Sequence, residues 1–141
     1  MIEFKKYLGR ERRRFSRYPV ALAVEFYVWD IRRHEALTEK VQGLLTDISH
    51  QGACLQSNRT MIGGHHLLLD DDLEGNTPVL LTLPSSPEED PLLIQAQVLW
   101  YNRVSVERKY QFDIGVKFVN LSSDQQQRLE ALIKRQAAKG E

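Results

Sequence analysis

Four short stretches of alternating apolar residues and two further apolar stretches around a polar turn, with helical spacing confined to the C-terminus, predict a mainly β fold. The expected architecture is a six-stranded antiparallel, Greek-key-like β-barrel with a C-terminal α-helix and a basic N-terminal segment. The length, 141 residues, suits one domain with one core.

The first strand is carried by Leu22, Val24, Phe26 and Val28, which repeat with period two between Val20 and Trp29. Between Lys40 and Ser57, apolar stretches around Leu44-Leu45 and Ala53-Cys54-Leu55 flank a short polar turn and give two more. Val79, Leu81 and Leu83 mark a fourth strand. Leu92, Ile94, Ala96, Val98 and Trp100 mark a fifth, with Trp100 placed on the core face by parity. The sixth is the most regular: Tyr110, Phe112, Ile114, Val116 and Phe118 alternate with Gln111, Asp113, Gly115 and Lys117. The barrel is thus expected over about residues 18–119 and the helix over about 123–138. Ser123 and Gln126 fit a capping box there, and Asp124 suits the positive end of the helix dipole. Residues 1–10 are expected to be a short amphipathic helix or a loose arm ahead of a domain that runs from 11 to 138.

Composition excludes several classes. No apolar run approaches the roughly 18 residues of a membrane span, and the N-terminus lacks the apolar stretch of a signal peptide. Cys54 is the only cysteine, so no internal disulfide and no cysteine-built zinc site can form. A cytoplasmic protein that makes no membrane contact is the expectation. Lys+Arg and Asp+Glu both total 19, but their distribution is uneven. Lys5, Lys6, Arg10, Arg12, Arg13, Arg14 and Arg17 crowd the head, whereas Asp70, Asp71, Asp72, Glu74, Glu88, Glu89 and Asp90 make an acidic middle.

Catalytic signatures are lacking. There is no Gly-rich phosphate loop and no Gly-x-Ser-x-Gly elbow. His65 and His66 are neighbours that face opposite ways in an extended chain, a poor metal pair even beside Asp70–Asp72. Cys54 lies in an apolar strand without a cationic sequence neighbour and reads as a core thiol. The expectation is a protein that is not an enzyme and carries neither cofactor nor metal.

Two polar elements remain. The basic head, Glu11-Arg12-Arg13-Arg14-Phe15-Ser16-Arg17-Tyr18-Pro19-Val20, leads into the first strand and uses arginine without lysine. Guanidinium is planar and always charged, and it can fork onto a phosphate or the O6/N7 edge of guanine. Alone, such a run is equally a solvated charge cluster or a non-specific nucleic-acid arm. The second element, Asp47-Ile48-Ser49-His50-Gln51-Gly52, sits between two strands. Its Asp and Ser can hold a turn, and its carboxylate can also accept the N1–H and N2–H₂ edge of a guanine. Alone, it is a polar hairpin turn.

Together, Arg-x-x-x-Arg at Arg13 and Arg17 and Asp-x-Ser-x-x-Gly at Asp47, Ser49 and Gly52 resemble the PilZ domain, a family of bacterial cyclic di-GMP receptors. The resemblance runs from about Glu11 to Ile133 and takes in Val98-Leu99-Trp100 and Gly115-Val116-Lys117-Phe118. It implies that Arg13 and Arg17 clamp phosphates and guanine edges, that Asp47 and Ser49 hydrogen-bond a guanine, and that Gly52 leaves room for the base. Arg12, immediately before the first motif arginine, implies two stacked ligand molecules per chain. The implied function is a receptor whose Arg-rich segment changes conformation on binding and signals to a partner protein. The rivals are an adaptor of the same fold that binds no nucleotide and, further back, a basic-arm nucleic-acid binder. Oligomeric state and the partner are left open, as is the role of the acidic stretches 70–74 and 88–90.

Overall fold

The computed structural model describes residues 17–67, 78–84, 88–104 and 109–139. Strand β1 (Tyr18–Asp30) pairs at its far end with the two-residue β2 (Glu35–Ala36), and along its length with β3 (Val41–Ile48). A tight turn leads to β4 (Gly52–Ser57), and a small hairpin follows, β5 (Met61–Ile62) and β6 (His65–His66). Then come β7 (Val79–Leu83), β8 (Leu92–Arg103), β9 (Phe112–Val119) and helix α1 (Ser123–Lys139). Around the barrel the order is β1-β3-β4-β9-β8-β7, all antiparallel, and β7 returns to β1 through pairs such as Phe26 with Leu81. The sheet is closed with six strands, as the alternation predicts.

The inward residues build one core. Phe26, Leu45, Ile48, Leu81, Ile94 and Ile114 are all fully buried. The register brings the start of β1, the end of β3, the start of β4 and the end of β9 to one end of the barrel. Helix α1 packs against β1 and β8 and sends Leu129, Leu132 and Ile133 into the same core.

The cap of α1 sits one residue earlier than the sequence suggests. Ser122 Oγ accepts the Gln125 N–H at 3.1 Å, and Gln125 Oε1 accepts the Ser122 N–H at 2.7 Å. This reciprocal pair is a capping box on Ser122 rather than Ser123. Loop 58–76, read as irregular, contains the β5–β6 hairpin, whose Gly63 and Gly64 take φ of +54° and +83°. That is the backbone a two-residue hairpin turn requires, and it delivers Ile62 fully buried to the core. The acidic stretch 88–90 serves α1: Arg128 Nε lies 3.3 Å from Glu89 Oε2, and Arg128 also donates to the Asp90 carbonyl. Acidic residues 70–74 lie outside the described residues.

Candidate functional site

Parity along β3 would bury Asp47 and expose Ile48. The structure does the reverse, because β3 carries one extra residue between Leu45 and Asp47 relative to β4. This β-bulge turns both Thr46 and Asp47 outward and restores Ile48 to the core. A second irregularity, between Pro19 and Leu22 of β1, lies opposite the same stretch. Pro19 pairs with Asp47, so the residue before the strand, Arg17, emerges beside that carboxylate. Arg17 Nη1 donates to Asp47 Oδ1 at 2.8 Å, with the two side chains 21% and 23% exposed.

The turn after Asp47 is held from within. Ser49 is 2% exposed. Its Oγ accepts the N–H groups of Gln51 and Gly52, both at 3.2 Å, and donates to the Gly52 carbonyl at 3.3 Å. The Ser49 N–H bonds the same carbonyl at 2.8 Å. The hydroxyl's one donor and two acceptor positions are therefore used in shaping the turn. Gly52 faces β9 so closely that a Cβ would collide with the Val116 carbonyl oxygen. Its missing side chain is required by the β4–β9 pairing itself.

A third bulge, between Val98 and Trp100 of β8, corrects the expectation for Trp100. The extra residue moves Trp100 off the core face and opposite Gly115, where its indole fills the space a Cβ would occupy. Cys54 pairs with Asp47 on one side and Gly115 on the other. One row across the outer surface thus reads Asp47, Cys54, Gly115 under Trp100, with Arg17 at its end. A carboxylate, a cation and a flat ring are brought to one face.

Cys54 is partly exposed on that face and does not lie in the core. Burial pushes its thiol up to about 11; a hydrogen bond with Thr46 opposes this, and Asp113 and Asp47 add to it. The raised value disfavours the thiolate, which is the nucleophilic form. Alkylation of the native chain by iodoacetamide should therefore be slow at pH 8 and rise about tenfold per pH unit until about pH 11. A rate that levels off near pH 8.5 contradicts the assignment. The same shift makes the thiol's stabilising contribution complete below pH 9 and lost as pH rises through about 11.

Of the residues singled out in the sequence, Arg17 and Asp47 are in contact, and Ser49 and Gly52 build the adjoining turn. Arg12 and Arg13 lie outside the described residues. Among the described residues no cluster of His, Cys, Asp or Glu could hold a metal ion, and no helix is long and apolar enough to cross a membrane.

Comparison with protein families supplies the remaining observation: the PilZ domain model matches residues 11–135. The chain belongs to the PilZ domain family. Solved PilZ structures share the fold. The PilZ domain of YcgR from Escherichia coli, solved with c-di-GMP, is 12% identical with a TM-score of 0.61 over 92% of this chain and 94% of that one. The PilZ domain of CeSA from a cellulose-synthesizing bacterium is 18% identical with a TM-score of 0.50, over 84% and 95%. The inhibitor of motility from Bacillus subtilis, MotI/DgrA, is 18% identical with a TM-score of 0.53; the match spans 91% of this chain but 52% of that one. Comparison with curated proteins gave no match.

Proposed function

We propose that this PilZ domain is a cyclic di-GMP receptor that binds the dinucleotide on the outer face at Asp47 and passes its state to a partner protein. The observation that carries the reading is the Arg17–Asp47 pair standing in the same cross-strand row as Cys54, Gly115 and the Trp100 ring. A YcgR PilZ domain of the same fold is described with c-di-GMP, which supports the ligand class.

The chemistry fits a guanine dinucleotide. A carboxylate has about four lone-pair positions, so Asp47 can keep its bond to Arg17 and still accept a guanine N1–H and N2–H₂. Arg17, steadied by that bond, can direct its other N–H groups to a phosphate or to O6/N7. Trp100 offers a stacking surface for a base, worth roughly 1–3 kcal/mol in comparable sites. Ser49 and Gly52 act by fixing the turn and the β4–β9 spacing that present Asp47. Arg12 and Arg13 stand five and four residues before Arg17, within roughly 18 Å of it along an extended chain. They close over the ligand from the N-terminal side, and this change in the Arg-rich segment is the signal. The binding reaction involves no catalysis.

Fluorescence tests the reading directly. In a Trp29→Phe chain, Trp100 is the sole indole, and cyclic di-GMP should quench it saturably while cyclic di-AMP does not. Unchanged emission at a cyclic di-GMP concentration that saturates the chain by calorimetry removes Trp100 from the site, and only the absence of any binding gives the adaptor reading precedence.

A further inference from the structure

Helix α1 has two flanks. Gln126, Leu129 and Glu130 face the β3–β4 turn. On the other side Gln127, Arg128, Ala131, Leu132 and Arg135 line a cleft of about 160 Å³ against the end of β7 and the start of β8. The floor of that cleft is apolar. Leu92 and Leu132 are 2% and 3% exposed, and Ala131 and Pro84 stand exposed at its sides. A space of that order takes one benzene-sized group and is smaller than ordinary small-molecule pockets. It suits one side chain.

The rim is cationic. Residues seven apart share one face of a helix, so Arg128 and Arg135 stand two turns, about 10 Å, apart along α1. Arg128 is engaged by an acidic segment of the chain itself. Its Nε lies 3.3 Å from Glu89 Oε2 and it donates to the Asp90 carbonyl, just before Leu92 enters the core. Arg135 is exposed and forms no ion pair among the described residues. The helix thus reads one acidic–apolar stretch on Arg128 and repeats the cation two turns later, with the apolar notch between the two.

We infer that this cleft is the docking seat for the partner protein, and that it takes an extended acidic segment with one medium apolar side chain next to a carboxylate. The inference rests on the part of the reading above that gives the chain a partner, and it needs no nucleotide. The apolar side chain enters the notch over Leu92 and Leu132. The adjoining carboxylate pairs with Arg135, whose planar guanidinium can hold both its oxygens. The chain's own Glu89-Asp90-Pro91-Leu92 against Arg128 is the template for that chemistry. A nucleic-acid backbone fits less well, because Glu89 at the rim repels phosphate and a notch sized for one side chain does not follow a sugar-phosphate chain. The seat also lies on the helix that walls the cleft beside the β3–β4 turn, so one element borders both the partner and the nucleotide side.

The test is an amide NMR titration of the full chain, without nucleotide, with the peptide acetyl-Gly-Asp-Leu-Glu-Gly-amide. Saturable shifts are expected at Leu92, Arg128, Ala131, Leu132 and Arg135, and none at His50 or Lys117. Arg135→Glu should weaken the peptide about five- to tenfold. Replacing the peptide's acids by amides should cost the wild type as much and the variant little. Ala131→Leu fills the notch and should abolish binding. Both positions are exposed on α1, and unchanged melting temperatures show that the variants fold. No saturable shift at about 10 mM peptide, where a complex with a Kd of about 1 mM is nine-tenths formed, overturns the seat. Wild-type affinity in Arg135→Glu or in Ala131→Leu does the same. A dT oligonucleotide that shifts these amides at lower concentration than the peptide overturns it in favour of a phosphate-binding face. Each of these results leaves the cyclic di-GMP reading standing, since titration with the nucleotide alone decides that.

Discussion

Asp47→Ala is expected to weaken cyclic di-GMP binding by about 10- to 100-fold or more while leaving the barrel folded. The substitution removes the acceptor for a guanine edge, and one such contact is worth about 1–3 kcal/mol. It also leaves Arg17 without the carboxylate that positions it at 2.8 Å. Stability should change little, because Asp47 faces outward and is about one-fifth exposed; pairs near the surface contribute roughly 0–1 kcal/mol. Arg17→Ala should reproduce most of the loss. The double variant should lose clearly less than the sum of the two, since each single change already breaks the same pair. Arg17→Lys should not rescue, because an ammonium lacks the planar fork. Titration calorimetry beside thermal melts checks all four. Strictly additive losses would show that the two residues do not act as a unit.

Gly115→Ala should damage both fold and binding. The new methyl would occupy the position of the Trp100 indole, so either the ring lifts off β9 or the β8–β9 pairing opens. Overpacking of this kind costs typically 1–3 kcal/mol, a fall in melting temperature of several degrees in a domain of this size. Loss of the stacking surface should weaken the ligand a further tenfold or so. Gly52→Ala is the informative contrast. Its methyl would meet the Val116 carbonyl, which is backbone and cannot rotate away, so the stability loss should be at least as large. Trp100→Ala separates the effects: it should lower affinity with a smaller thermal penalty than Gly115→Ala. Wild-type affinity in Trp100→Ala would dissociate the ring from the site.

The barrel was legible because its inward residues alternate cleanly wherever the strands are regular, as in Phe112–Val119. The site was less so, because it is built where alternation breaks. Asp47 faces water only through the bulge at Thr46, and Trp100 leaves the core face only through the bulge at Leu99. A period-two reading assigns Trp100 to the core. The available clue was a glycine, Gly115, in an otherwise strongly apolar strand, since a strand glycine often marks a close approach. Ser49 was recognisable by motif, but its work inside the turn depends on three hydrogen bonds that spacing does not reveal. The role of Glu89 and Asp90 was not legible, because their partner Arg128 lies far along the chain.

Titration of the purified wild-type chain with cyclic di-GMP tests the central claim most directly. The account predicts saturable heat that survives a rise in salt and does not appear with cyclic di-AMP, since guanine edges as well as charge are read. No heat at about 100 μM ligand, where even a complex of roughly −5 to −6 kcal/mol begins to form, would contradict the receptor account and leave a PilZ adaptor that binds no nucleotide.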